Sequence, residues 1–315
     1  MTPGAEVELS VVIPVFRCAE CIRALHERLT ATLLRLDVPY ELVFVDDRSP
    51  DDAWAILQEL ARDDRAIRAL RLSRNFGQQA AITAGLAASR GRWSVVMDCD
   101  LQDPPEVIAE LYAKAVAGFD VVLARRHEKK HPWFRRLAAR IYFKFIALFL
   151  GVHISGDYGS FSIISAKARE AFLRVPDRDR HYLPIVLWIG FERATIDYEH
   201  GPRHSGSSSY SLGSLIRLAI EGVFFQTATL LRWIVYFGFV VALAGILLAA
   251  ALVALAFVTN PPPGWTSLAV LLLLVGGLII VSTGITGLYI GKIYSQVKNR
   301  PLYLVDSEID GPQDR

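Results

Sequence analysis

The chain has 315 residues, 52% of them hydrophobic, with 34 Lys and Arg against 32 Asp and Glu for a formal net charge of +2. That length holds one sizeable globular domain plus a smaller addition, and the near-balanced charge gives no reason to expect a nucleic acid partner. The 3 cysteines are expected to stay reduced; Cys18-Ala-Glu-Cys21 lacks the second Cys or His pair that a zinc site needs.

The first part of the chain alternates. Strands are predicted at Leu9–Phe16, Glu41–Asp47, Ile67–Ser73, Ser94–Asp100 and Asp120–Arg126, with helices at Ala19–Leu36, Asp51–Asp64, Gln78–Ser89 and Pro104–Ala117 between them. Strands alternating with helices of this length imply right-handed βαβ units, an α/β class and a largely parallel sheet. The run Leu9–Phe16 is too short for a signal peptide and has acidic flanks.

After Arg126 the alternation breaks. Arg125, Arg126, Lys129, Lys130, Arg135, Arg136, Arg140 and Lys144 are interleaved with Trp133, Phe134, Tyr142 and Phe143. That pattern over 125–150 predicts a basic amphipathic segment lying on an anionic membrane face. A strand at Ser160–Ile164, a helix at Ala166–Arg174, a short helical stretch near Tyr182–Ile189 and a strand at Arg193–Glu199 follow. Gly201–Ser211 reads as a mobile loop, and Leu212–Thr227 as an apolar helix.

Two uninterrupted apolar runs come next, Trp233–Val258 and Thr266–Ile290, with no charged residue in either. Each exceeds the roughly 20 residues a helix needs to cross a bilayer, so they predict a transmembrane hairpin. Arg217 and Arg232 precede it, Lys292, Lys298 and Arg300 follow it, and the connecting loop has no Lys or Arg. Both termini are therefore expected on the cytoplasmic side of the membrane. The tail Pro301–Val305 could add an edge strand, and with the basic segment it suits self-association into a homo-oligomer.

In open parallel sheets ligands bind beyond the carboxyl ends of the strands. Neither GxGxxG nor GxxxxGK[ST] occurs, which argues against a dinucleotide enzyme or a P-loop NTPase. Asp98 and Asp100, two apart on the predicted fourth strand, would share a face. Two hard carboxylates there can hold Mg²⁺ or Mn²⁺ and leave positions open for a substrate diphosphate.

Val12-Ile-Pro-Val-Phe16, Val45-Asp-Asp-Arg-Ser-Pro-Asp51, Arg74-Asn-Phe-Gly77 and Met97-Asp-Cys-Asp-Leu-Gln-Asp-Pro-Pro-Glu106 resemble the successive motifs of family 2 glycosyltransferases. Within that family they look most like the polyprenyl-phosphate glycosyltransferases, and the hairpin and Lys298-Asn-Arg-Pro-Leu-Tyr303 are similar to the bacterial branch. The resemblance implies a GT-A catalytic domain over 1–211, a juxtamembrane helix over 212–228, two transmembrane helices over 229–291 and a cytoplasmic tail over 292–315. It implies transfer of one sugar, with inversion, from a nucleotide-sugar donor to a polyprenyl phosphate such as undecaprenyl phosphate at the cytoplasmic membrane face. By the same resemblance Pro14, Asp47 and Asn75 lie beside the nucleotide, while Asp98, Asp100 and Gln102 serve the ribose and the metal. Arg203 reaches a phosphate from the Gly201–Ser211 lid, and Asp157 matches an acidic position often assigned as a base.

An acceptor phosphate monoester is already largely anionic at neutral pH, so positioning and charge screening matter more than a strong base. Arg125, Arg126, Arg135, Arg136 and Arg203 are the cations available to it, with Ser208 beside them in the lid. Two positions depart from the family pattern: Ser209 stands where a Lys is common in the lid, and Ser162 where an Arg or Lys commonly follows the aromatic. Both remove a positive charge near the expected donor site and leave the sugar and nucleotide open. A processive polysaccharide synthase would carry Gln-x-x-Arg-Trp and more spans, whereas here Gln226 lies farther from Arg232-Trp233. A non-enzymatic nucleotide-sugar sensor would need no metal-bound leaving-group site.

Overall fold

The computed structural model describes residues 7–127, 158–178, 180–199, 237, 240 and 264–311. They fall into two compact units, the larger holding the described residues up to 199 together with 300–311, the smaller those from 237 to 299.

The larger unit is built on one 8-stranded sheet. Its strands are β1 (Leu9–Val15), β2 (Tyr40–Asp46), β3 (Ile67–Leu72), β4 (Trp93–Val96), β5 (Val121–His127), β6 (Tyr158–Ser165), β7 (Arg193–Glu199) and β8 (Val305–Asp310). Helices α1 (Ala19–Leu36), α2 (Ala53–Asp63) and α3 (Gln78–Ala88) connect the first four strands. A 3₁₀ turn, Pro105–Val107, leads into α4 (Ile108–Val116), and α5 (Ala166–Arg174) and α6 (Tyr182–Trp188) follow β6. In space the strands run β7-β5-β6-β4-β1-β2-β3-β8.

The block β4-β1-β2-β3 is parallel, as the alternation predicts. Two strands depart from it. β6 enters antiparallel between β4 and β5, so β5 pairs with β6 and β7 and not with β4. β8 closes the far edge antiparallel to β3; the tail strand lies at Val305–Asp310 and not at Pro301–Val305.

Both sheet faces are covered, which explains why β1 and β2 are buried throughout. Leu9, Val11, Ile13, Leu42 and Phe44 pack with residues of α1, α2 and α4; Val12, Val43 and Val45 pack on the other face with α3, α5 and α6. Successive side chains alternate across the pleat, so a continuous apolar strand feeds two cores. Each fully buried Leu or Ile here contributes about 2 kcal/mol. α3 sits close to the sheet at Gly85, where a Cβ would come within 2.3 Å of Val12 Cγ1.

Pro14 lies inside a central strand, where a missing N–H is normally costly. Here the β4 ladder ends one step earlier, with Val12 accepting from the Met97 amide (3.1 Å). Pro14 faces that same vacated edge, while Val15 turns to β2 and accepts from the Asp47 amide (3.0 Å).

In the smaller unit, α7 is one continuous helix, Trp265–Val297 (33 residues), containing the second apolar run. At 1.5 Å per residue it is about 50 Å long, ample for a bilayer. Among the described residues, no helix is long and apolar enough to cross a membrane. Many α7 side chains lie outside that description, so its apolarity is read from the sequence alone. The first apolar run lies outside the described residues except at 237 and 240, as do the basic segment 128–157, the lid and the juxtamembrane helix.

Candidate functional site

Three strands of the parallel block leave the sheet through a non-glycine residue in left-handed backbone conformation: Arg17 after β1 (φ 55), Arg48 after β2 (φ 55) and Leu101 after β4 (φ 60). Such residues are uncommon and carry strain that surrounding structure must hold in place. Here the holding is done by side chains of the loops themselves. The Arg17 amide donates to Ser49 Oγ (2.7 Å), Ser49 Oγ donates to Asp51 Oδ1 (2.5 Å), and Asp51 Oδ2 accepts from the Ala19 amide at the start of α1 (3.0 Å). Asp46 accepts from the Ser49 amide (2.8 Å) and pairs with Arg71 at 3.1 Å.

Asp47 is buried and binds the next loop: its two oxygens accept from the amides of Phe76 (2.7 Å) and Gly77 (2.8 Å). Burial pushes its carboxyl above the usual range, and those two amides pull it back down. Gly77 has φ 96, which a side chain would strain, at the N-cap of α3. Arg74 stacks over the Phe76 ring at 4.1 Å and donates to the carbonyl of Asn75, whose own side chain is exposed.

The acids of Met97–Asp103 come next. β4 ends at Val96, so Asp98 and Asp100 are not strand neighbours as predicted; they sit on the turn that leaves it. Cys99 points inward between them, and Cys18 Sγ donates to its carbonyl (3.1 Å). The alternation survives the end of the strand, leaving both carboxylates half-buried at the rim. Asp100 Oδ1 accepts from the Gln102 amide (3.2 Å), which closes the turn around Leu101.

Asp98 is the most perturbed of these acids. Its Oδ1 accepts from Gln78 Nε2 on α3 (2.7 Å) and from Ser160 Oγ on β6 (3.0 Å). Burial pushes its pKa up to about 6, with the Asp103 and Asp100 charges adding to the rise and Ser160 and Arg126 opposing it. Asp103 is fully buried and accepts from the Tyr198 hydroxyl of β7 (2.5 Å), while Arg126 of β5 stands 3.7 Å away.

An excess of negative charge at a strand-end rim is the electrostatic counterpart of a divalent cation. Two hard carboxylates with the amide oxygen of Gln102 fit Mg²⁺ or Mn²⁺ with further positions left to an incoming ligand. Among the described residues, no group of three or more His, Cys, Asp or Glu gathers to hold a metal.

The remaining predicted residues divide. Arg125 and Arg126 point to opposite faces of β5: Arg125 pairs with the exposed Asp197 through Nε (2.5 Å) and Nη2 (2.8 Å), and only Arg126 turns toward the acids. Ser162, where the family resemblance expects a cation, is buried with its hydroxyl 2.8 Å from that of Tyr182. Asp157, Arg135, Arg136, Arg203 and Ser208 lie outside the described residues. Gln78, Ser160, Asp103 and Tyr198 were not singled out from the sequence. Asp103 belongs to the same short motif as Asp98 and Asp100.

The chain is similar to known proteins over most of its length. The family Glycosyl transferase family 2 matches residues 10–173. An undecaprenyl-phosphate 4-deoxy-4-formamido-L-arabinose transferase of Serratia proteamaculans is 38% identical, over 96% of this chain and 94% of its own length. The SfII prophage-derived bactoprenol glucosyl transferase of Shigella flexneri is 33% identical, over 95% of this chain and 97% of its own. Among solved structures, glucosyl-3-phosphoglycerate synthase from Mycobacterium tuberculosis in complex with Mn²⁺, UDP and phosphoglyceric acid superposes with a TM-score of 0.52 at 17% identity, covering 72% of this chain and 78% of that one; this likeness is one of fold. A matched domain that takes in β1 to β6 and the acidic rim, with relatives aligned nearly end to end, makes this chain a glycosyltransferase belonging to family 2.

Proposed function

We propose that this enzyme transfers a single sugar, with inversion, from a UDP- or GDP-hexose to a polyprenyl phosphate at the cytoplasmic face of a membrane. The reading is carried by one observation: relatives named for undecaprenyl phosphate and bactoprenol align over 95% or more of this chain, its apolar C-terminal runs included. Those runs form the proposed anchor, a hairpin with both termini in the cytoplasm.

Asp98, Asp100 and Gln102 would hold Mg²⁺ or Mn²⁺. A bound cation supplies charge neutralisation for the departing nucleotide diphosphate. Pro14, Asp47 and Asn75 border the nucleotide subsite, Asp47 acting through the loop it pins at Phe76 and Gly77. The lid residues Arg203 and Ser208 close over the phosphates and exclude water, favouring transfer over hydrolysis. Arg126 takes the acceptor phosphate, with Arg135 and Arg136 along the membrane surface. Asp157 orients the acceptor, whose oxygen needs little help to ionise at neutral pH. Arg125, already paired with Asp197, is left to a structural role.

The test is a donor screen. Purified full-length protein with Mn²⁺ and undecaprenyl phosphate is given UDP-glucose, UDP-galactose, UDP-GlcNAc and GDP-mannose in turn. One of them is expected to yield a lipid-linked monosaccharide. A lengthening polymer, or sugar moved only to a water-soluble acceptor, would contradict the reading.

A further inference from the structure

Arg126 lies where separate segments of the sheet meet. Its Nε donates to the Tyr198 hydroxyl oxygen (3.1 Å), and that hydroxyl donates in turn to Asp103 Oδ1 (2.5 Å). Nη2 of Arg126 stands 3.7 Å from the same carboxylate oxygen. On β6, a Cβ added to Gly159 would meet Nη2 at 2.7 Å and Cζ at 3.1 Å, so the guanidinium rests against bare backbone. Tyr198 is fixed by the Phe161 ring, edge to face at 5.4 Å and 84°, and Asp103 is fully buried. Burial works against the charge on Arg126, but Asp103, Tyr198 and Asp98 together more than offset it, and the guanidinium is held protonated.

A hydroxyl that donates to a buried carboxylate becomes a better acceptor for the Nε–H behind it. An arginine side chain otherwise carries much rotamer entropy, which a ligand would have to remove on binding. The chain removes it beforehand, at the position whose charge also acts on Asp98.

We propose that Tyr198, Asp103 and Gly159 are positioning residues that fix the Arg126 guanidinium beside the acidic rim, so that it meets the acceptor phosphate in one set orientation. This rests on the acceptor reading above, and Tyr198 and Asp103 act only through Arg126. Gly159 contributes by having no side chain, leaving the space that the guanidinium occupies.

The experiment measures undecaprenyl phosphate binding to the full-length protein in detergent micelles by titration calorimetry, with UDP and Mn²⁺ binding measured in parallel. Tyr198→Phe and Gly159→Ala are each made alone and in an Arg126→Ala background. Each single variant is expected to weaken undecaprenyl phosphate binding about tenfold by releasing the guanidinium, with UDP binding unchanged. Neither is expected to weaken it further once Arg126 is gone. Gly159→Ala displaces only the end of a flexible side chain, so it carries the same cycle should Tyr198→Phe fold poorly. Wild-type binding in both single variants, or losses that persist at full size without Arg126, would overturn the positioning role alone. A wild-type protein that binds UDP but no undecaprenyl phosphate would overturn the acceptor reading, and this inference with it.

Discussion

Asp47 gives both carboxylate oxygens to the backbone of Phe76 and Gly77 and so joins two loops of the rim. Asp47→Asn replaces one acceptor by a donor that faces an N–H. The expected loss is about 2 kcal/mol, with weaker nucleotide binding, read from the urea midpoint and a UDP titration. A variant with the wild-type midpoint would show that the loops are held some other way. A second acid gives the fold a pH dependence. His26 hydrogen-bonds Asp64 at 2.7 Å and holds its carboxyl below the usual range, against the opposing effect of burial. A depressed acid stabilises the fold above its unfolded value near ~3.9, and that stability is lost as pH falls through the lower folded value. Urea unfolding at pH 5 and pH 3 should therefore show an acid loss that is smaller in Asp64→Asn; an equal loss in both proteins would remove Asp64 from the account.

The elements show which parts of the fold a sequence can disclose. The parallel block was legible because its strands are apolar throughout and its helices carry the period that covers them. The fourth strand reads too long from the sequence for a physical reason: Cys99 continues the buried alternation after the backbone has left the ladder at Met97. Only the left-handed Leu101 and the Gln102 amide on Asp100 reveal the turn, and neither leaves a mark in hydropathy. The insertion of β6 between β4 and β5 was hidden because partner choice across long separations is set by packing of the whole sheet. β8 is hard to place from the sequence because an acid stands at every second position, and what recommends those acids is on β3 and its neighbours. Arg68 pairs there with Glu308 and, at 3.1 Å, with Asp310, while Arg48 reaches Asp306 at 3.1 Å. α3 allows a direct test of its packing. Gly85→Ala places a Cβ on Val12 and Val45, and overpacking of about 1–3 kcal/mol should exceed the gain in helix propensity of about 1 kcal/mol. A lowered Tm is expected; an unchanged or raised one would mean α3 can slide off the sheet freely.

At the scale of the molecule, a family 2 catalytic sheet precedes a pair of long apolar runs, the second of them within a single 33-residue helix. The rim was legible where its residues sit together in one short motif, as at Asp98, Asp100 and Gln102. It was illegible where distant strands meet, as at Gln78, Ser160, Asp103 and Tyr198, since no spacing records that Tyr198 lies on Asp103. The charge excess around Asp98 would give a divalent cation, and through it a nucleotide diphosphate, a reason to bind at the rim. The most direct measurement is therefore transfer of labelled sugar to undecaprenyl phosphate by wild-type protein and by Asp100→Asn, each with Mn²⁺ and with EDTA. The account predicts lipid-linked product from wild type with Mn²⁺ alone, and an Asp100→Asn protein that is folded and inactive in both conditions. Product undiminished by EDTA, or an active Asp100→Asn, would contradict it.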